Sequence, residues 1–453
     1  MEMIPFEHFS EIRADEPNYE QSAERFAALE RALDEAQSLD EKLATLREWD
    51  DLQRQQGTWG ALVYLHFYQD TTREDYVKAR EEWDRLQPRM KDLHVRIKKR
   101  LLGAEDRPAL EGALGKHVFE LWRSDAATFE PAIEADLVKE SELDAEYVAL
   151  MASARIEFEG KQQRLPDMRR YLMHADRDLR HRAERATWGW FKENSAELDR
   201  IYDGLVKLRH KMAQTLGYEN FINLGYLRMS RVDYTQQDVE RFRAQVRDQL
   251  VPLVAKLREQ QAKEIGVESL RWWDESLHDH QGNPTPVGGL EGIVHHAFAA
   301  FDQLNPDLAA FYRTMHARDM LDLGPRAGKA GGGFCTSFPT HGSPYIFANF
   351  NGTQDDVRVF IHELGHAFQC WRSRGLPLAD QLFPTFEACE IHSMGLEFLA
   401  YPAMEHFFGD AAERYRKIHL TDALMFIPYG VAVDHFQHLV YAKPDATPQE
   451  RCE

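Results

Sequence analysis

The stretch "VRVFIHELGHAFQCW", Val357 to Trp371, sets His362, Glu363 and His366 among mostly apolar residues. Four positions separate the histidines, so on a helix both project from one face. The pattern is His-Glu-x-x-His, in which two imidazoles ligate zinc and the glutamate polarises the water held by the metal. Phe360, Ile361, Leu364, Ala367, Phe368 and Trp371 make the remainder of the segment apolar enough to be buried on most sides. Imidazoles and a carboxylate carried inward by such a helix are costly without partners, and a divalent cation is an effective one. The competing explanation is a helix end in a wet cleft with ordinarily hydrogen-bonded histidines.

Catalytic zinc needs a third protein ligand and an open fourth position. Downstream, "FPTFEACEIHSMGLEFLAYP" reads as a second helix, capped near Thr385 and ended by Pro402. Glu387, Glu390 and Glu397 share one of its faces, while His392 lies off that face and reads as polar packing. Between His362 and Glu390 there is enough chain for the first helix to finish, turn, and let the second pack against it. Thr353 followed by Asp356 is a capping-box-like start, and Gly375 and Pro377 supply a stop, so the spacing predicts a helix from about Gln354 to Arg374.

The rest of the chain must position this helix pair. With 453 residues, 43% of them hydrophobic, it exceeds what one compact core usually holds, which implies two lobes or two domains. From about Tyr19 to Leu270 apolar residues recur every three or four positions among Glu, Lys, Arg, Gln and Ala, the texture of successive helices. Turn-rich "HDHQGNPTPVGG" and "LGPRAGKAGGGFCTSFPTHGSP" interrupt it. "GPRAGKA" falls one residue short of a phosphate loop and has Ala330 where Ser or Thr would bind magnesium, so nucleotide binding is discarded. "YIFANF", Tyr345 to Phe350, is β-prone and with "GGGFCTSF" predicts a small hairpin or sheet beside the metal helix.

An excess of 75 acidic over 55 basic residues, net charge −20, repels phosphate backbones and anionic lipids, which argues against nucleic-acid and membrane partners. The opening "MEMIPFEHFSEIRADEP" lacks the basic and apolar segments of a signal peptide, and no later run approaches the ~20 apolar residues of a membrane span. Cys335, Cys370, Cys389 and Cys452 are too scattered for a disulfide scaffold. Free thiols in a cytoplasmic protein are the expectation.

"FIHELGHAFQ" followed by "FEACEIHSMGLEF" resembles the thimet oligopeptidase and oligoendopeptidase F family of zinc peptidases, whose third ligand opens a Glu-x-x-Ser-x-x-x-Glu segment matched by Glu390, Ser393 and Glu397. "GKAGGGFCTSFP", "SPYIFANFNGT" and "IPYGVAVDHFQHLVY" extend the likeness, which is strongest to the oligoendopeptidase branch. The resemblance implies a mainly α, two-lobed metallopeptidase with a deep central channel, an N-terminal helical lobe over residues 1–200 and a zinc-binding catalytic lobe over 201–453. It implies one Zn2+ per chain, held by His362, His366 and Glu390, with Glu363 as catalytic base and Glu397 orienting a ligand histidine from behind. It also implies short unfolded peptides as substrates, aligned along the backbone edge of Tyr345, Phe347, Ala348 and Asn349 as an added strand.

One part of the family pattern is not found. A segment near the C-terminus supplies Tyr and His donors to the tetrahedral intermediate, and losing one such donor typically costs ~10²- to 10³-fold in turnover. Thr447, Pro448 and Glu450 form a helix start with three residues after it, from which the expectation follows that a C-terminal portion of the catalytic lobe is lacking. Tyr429, Tyr441, His435 and His438 are the nearby residues that could substitute as donors. Three readings remain open: a zinc oligoendopeptidase, a zinc-containing peptide-binding protein with little activity, and a helical interaction protein with an accidental motif.

Overall fold

The computed structural model describes residues 6–452, and it is mainly helical with two small sheets. The helix carrying the histidines spans Gln354–Ser373, and its buried positions Val357, Phe360, Ile361, Leu364, Ala367 and Trp371 follow the three-and-four spacing of an amphipathic helix. Its start falls where the sequence put it, but not through a capping box. Asp356 reaches back past Thr353 and accepts from the backbone N–H groups of Asn351 and Gly352 at 3.0 and 2.7 Å, and Thr353 makes no side-chain cap. The second helix, Phe386–Leu399, packs directly across it.

How close these two helices come is set by Gly365. A Cβ there would sit 2.7 Å from the His392 carbonyl oxygen and 2.7 Å from the Ser393 Cα, both backbone atoms that cannot swing aside. Only a residue without a Cβ allows this approach. The connector between the helices is tied down from the N-terminal region. Lys98, buried, bonds Asp125 at 2.9 Å and Asp380 at 3.0 Å, Trp122 Nε1 donates to Asp380 at 2.9 Å, and the Ala379 N–H donates to Asp50 at 2.5 Å.

Beside the histidine helix lies a three-stranded sheet in which Ser343–Phe347 occupies the centre, paired parallel to Leu321–Asp322 and antiparallel to Phe334–Phe338. The hairpin of "GGGFCTSF" with "YIFANF" is therefore present. The strand expected to offer a peptide-binding edge is the central one of this sheet. Tyr345, Phe347 and Ala348 are buried, the Ala348 N–H is taken by the Asp322 carbonyl, and Asn349 spends its side-chain amide on the Ala330 and Gly332 carbonyls. A central strand has no free edge; the sheet ends at Leu321–Asp322 on one side and at Phe334–Phe338 on the other.

One hydrophobic cluster joins this sheet and the histidine helix to Leu62, Leu65 and Phe67 of the long helix Leu39–Gln69 and to Phe301, Phe311 and Tyr312. A second gathers Phe26, Trp49, Leu93, Phe119 and Trp122 in the N-terminal region and reaches Leu378 of the connector. Residue 200, the division drawn from sequence, falls inside the helix Ser195–Thr215. A cavity of about 1150 Å³ separates Leu114, His117, Val118 and Leu121 from Phe368, Arg372, Ala388 and Ile391. This is the channel between the lobes.

Within the stretch expected to be helical throughout, Ile156–Phe158 and Lys161–Gln163 form an antiparallel hairpin. Its turn residues Glu159 and Gly160 have φ of 49° and 71°, the left-handed pair that tight hairpins require. Among the described residues no helix is long and apolar enough to cross a membrane.

Two stability measurements probe this framework. Gly365→Ala overpacks the helix contact and is expected to cost about 1–3 kcal/mol, seen as a lower Tm by calorimetry; an unchanged Tm would mean the helices are free to separate. Lys98→Met leaves Asp125 with Lys91 at 3.0 Å and Asp380, among the described residues, with only the Trp122 N–H; it is expected to cost about 3 kcal/mol in denaturant unfolding at neutral pH, against no change if the connector is held by packing alone.

Candidate active site

One turn of helix places His362 and His366 side by side, their ring centroids 4.9 Å apart. The second helix brings Glu390 opposite them. Its Oε2 lies 3.1 Å from His362 Nε2 and 3.5 Å from His366 Nε2, and the three donor atoms fall within 4.8 Å of one another. Among the described residues no other group of three such side chains converges this way. Tetrahedral zinc with bonds of roughly 2.0–2.1 Å holds its ligand atoms about 3.4 Å apart. In type and placement the residues present fit such an ion.

What lies behind these donors fixes their direction. His362 Nδ1 meets Glu397 Oε1 at 2.7 Å, which leaves Nε2 to face the centre. Ser393 donates to Glu390 Oε2 at 2.6 Å. The Glu-x-x-Ser-x-x-x-Glu spacing thus puts a hydroxyl one turn below the carboxylate it orients and a second carboxylate behind the histidine. Glu387, on the same helix, is engaged elsewhere with Arg231 at 2.7 Å, and His392 is exposed and lines the larger channel.

Glu363 projects into the same space. Burial pushes its carboxyl up to about 7; the charge of His362 opposes that rise, Glu390 adds to it, and the Cys335 backbone N–H faces it. For His362, burial works against the charged form, but Glu397, Glu363 and Glu390 outweigh it and raise the pKa. Burial and the neighbouring His362 lower that of His366. Burial would also raise Glu397, yet hydrogen bonds from His362 and His419 hold it down at about 2.

His362, Glu363, His366 and Glu390 line a cavity of about 550 Å³, closed on one side by Gly333 to Ser337 at the sheet edge and flanked by Leu382, Phe383 and Phe386. Cys335, Cys370 and Cys389 also face it. Burial pushes Cys370 up to about 11 and Cys389 to about 12, so neither is a thiolate near neutral pH. The four cysteines are unpaired.

The four residues considered as substitute donors do not reach this cavity. Tyr441 is buried and accepts from Arg209 at 2.9 Å, His438 is buried against the Tyr226 hydroxyl at 3.1 Å, Tyr429 is largely exposed, and His435 lines a separate hollow. Their helix, Ala412–Ala442, contributes His419 instead, bonded to Glu397 Oε2 at 2.5 Å. Sequence reasoning missed His419, and nothing in its spacing could have pointed to it. It also missed the Phe334–Phe338 edge, for which the only signal was the glycine run just before it.

Sequence profiles of two related domains match the chain: a Peptidase M3 N-terminal domain over residues 9–129, and Peptidase family M3 over 170–287 and 293–453. Among solved structures, a protein assigned as oligoendopeptidase F is 41% identical with a TM-score of 0.96, covering 98% of this chain and 79% of the other. PZ peptidase A, solved with an inhibitor, is 40% identical at 0.96, with 98% and 79% covered. A protein assigned as oligoendopeptidase F from Bacillus anthracis is 39% identical at 0.95, with 98% and 82% covered. Comparison with curated proteins gives no match. With family-specific profiles matched along most of its length and this convergent His-Glu cluster at its centre, the chain belongs to peptidase family M3.

Proposed function

We propose that this peptidase is a zinc-dependent oligoendopeptidase, cleaving internal bonds of short unfolded peptides with Glu363 as general base. The observation that carries the reading is the meeting of His362, His366 and Glu390 in a cavity that also holds Glu363 and an edge strand. His362, His366 and Glu390 would hold the ion. Zinc, when bound, supplies Lewis acidity, lowering the pKa of water to about 7 and polarising the scissile carbonyl.

The protein's own groups do the rest. Glu363 accepts the proton of the attacking water and returns it to the leaving amine, a role its position in the same cavity as the three donors allows. The outer edge of Phe334–Phe338 aligns an extended peptide by main-chain hydrogen bonds, which read backbone more than side chains and so tolerate varied sequence. The channel between the lobes favours short, unfolded chains as substrates.

The second reading, a zinc-containing peptide-binding protein with little activity, is favoured by one observation. Apart from His362 and His366, the described residues lining the zinc cavity include no histidine, and none is a tyrosine.

Purified protein is expected to contain about one zinc per chain by metal analysis, and His362→Ala to lose it; zinc-free wild type would contradict the ligand set. With a quenched fluorescent peptide, cleavage is expected to stop with chelator and to fall by about 10²- to 10⁴-fold in Glu363→Gln at unchanged zinc content. Cleavage that survives both would overturn the mechanism. Wild type that binds the peptide and zinc without cleaving selects the second reading.

A further inference from the structure

Glu397 is not held by the histidine helix alone. Its two oxygens are shared between two imidazoles: Oε1 meets His362 Nδ1 at 2.7 Å, and Oε2 meets His419 Nε2 at 2.5 Å. His419 in turn meets the Tyr401 hydroxyl through Nδ1 at 2.7 Å, and that hydroxyl also lies 3.3 Å from the Arg416 carbonyl. Three separate helices supply the first three members, Gln354–Ser373, Phe386–Leu399 and Ala412–Ala442, and Tyr401 follows the second of them. Glu397 is 8% and His419 4% exposed, so water does not substitute for either partner.

We infer that His419 is a positioning residue for the metal centre: it clamps the far oxygen of Glu397, so that Glu397 holds the His362 ring in the orientation that presents Nε2 to the ion. This rests on the zinc reading above. The terminal torsion of a glutamate is broad and roughly two-fold, so a single hydrogen bond on one oxygen leaves the carboxylate plane free to rotate. A second donor on the other oxygen removes that freedom. It also satisfies a buried acceptor that would otherwise be left unpaired. His419 is itself walled by Phe398, Tyr401 and Tyr415, with ring centroids at 5.0, 5.5 and 5.7 Å, the last nearly parallel. Its ring cannot follow a moving carboxylate, so it acts as a fixed point.

His419→Phe keeps a ring in the aromatic slot but removes both hydrogen bonds. His419→Gln keeps a donor for Glu397 and an acceptor for Tyr401. Zinc affinity is measured by competition with a chromophoric chelator, and site geometry by the visible spectrum of the Co2+-substituted protein. Losing a partner behind a ligand histidine typically weakens metal binding 10–100-fold, and the step to His419 is one bond further out, so His419→Phe is expected near the low end, about tenfold. His419→Gln is expected to restore most of that loss and the wild-type cobalt spectrum. With Glu397→Ala already in place, His419→Phe should add nothing, because its route to His362 is gone.

Unchanged zinc affinity and cobalt spectrum in His419→Phe would overturn the inference. So would a loss that adds fully to that of Glu397→Ala, or one that Gln fails to rescue, either of which marks His419 as packing only. Wild type that binds zinc while His419 has no effect leaves the proposed function standing and sinks this inference alone; wild type without zinc sinks both.

Discussion

Two imidazoles and a carboxylate gathered in a partly desolvated cavity are a destabilising arrangement, and the protein is built around tolerating it. Burial heads the causes acting on His362, Glu363, His366 and Glu397 alike; neighbouring groups outweigh it at His362 and Glu397 but not at Glu363 or His366. A divalent ion held between His362 Nε2, His366 Nε2 and Glu390 Oε2, as proposed, would turn that cost into binding energy. Without convergence there is neither a metal site nor a reason for Glu363 to sit where it does.

Convergence depends on the spacing of two helices, and features distant in sequence enforce it. Gly365 permits the close approach, while Asp380 and Ala379 of the connector are anchored to Lys98, Trp122 and Asp50 in the N-terminal region. The N-terminal region is thus part of the machinery that fixes the distance from the histidines to Glu390, besides forming one wall of the channel. The long helix Ala412–Ala442 closes the arrangement from the other side through His419.

Much of the site was legible because its signals are local. The four-residue spacing of His362 and His366, the Asn351-Gly352 turn before their helix, the Gly375 and Pro377 stop, and the face shared by Glu387, Glu390 and Glu397 each act within a turn or two of chain, where periodicity determines geometry, while the choice of Glu390 and its pairing with Ser393 came from the family resemblance. Signals that depend on long-range pairing were not legible. "YIFANF" announced a strand, but whether that strand is central or at the edge is decided by Leu321–Asp322 and Phe334–Phe338, and strand order leaves no mark on the strand itself. The same holds for His419, whose partner lies on another helix. The hairpin at Ile156–Gln163 was missed for a different reason: three-residue strands are too short to break a helical texture, and only the Glu159-Gly160 turn betrays them. The capping of the histidine helix shows a milder failure, since Asp356 was the right residue bonded to the wrong backbone groups.

The most direct test of the account is anomalous diffraction at the zinc absorption edge from crystals of the purified protein. The account predicts one peak, within bonding distance of His362 Nε2, His366 Nε2 and a Glu390 oxygen, with Glu363 beside it but not bonded. A peak elsewhere, or one from which Glu390 is absent while another side chain takes its place, would contradict it.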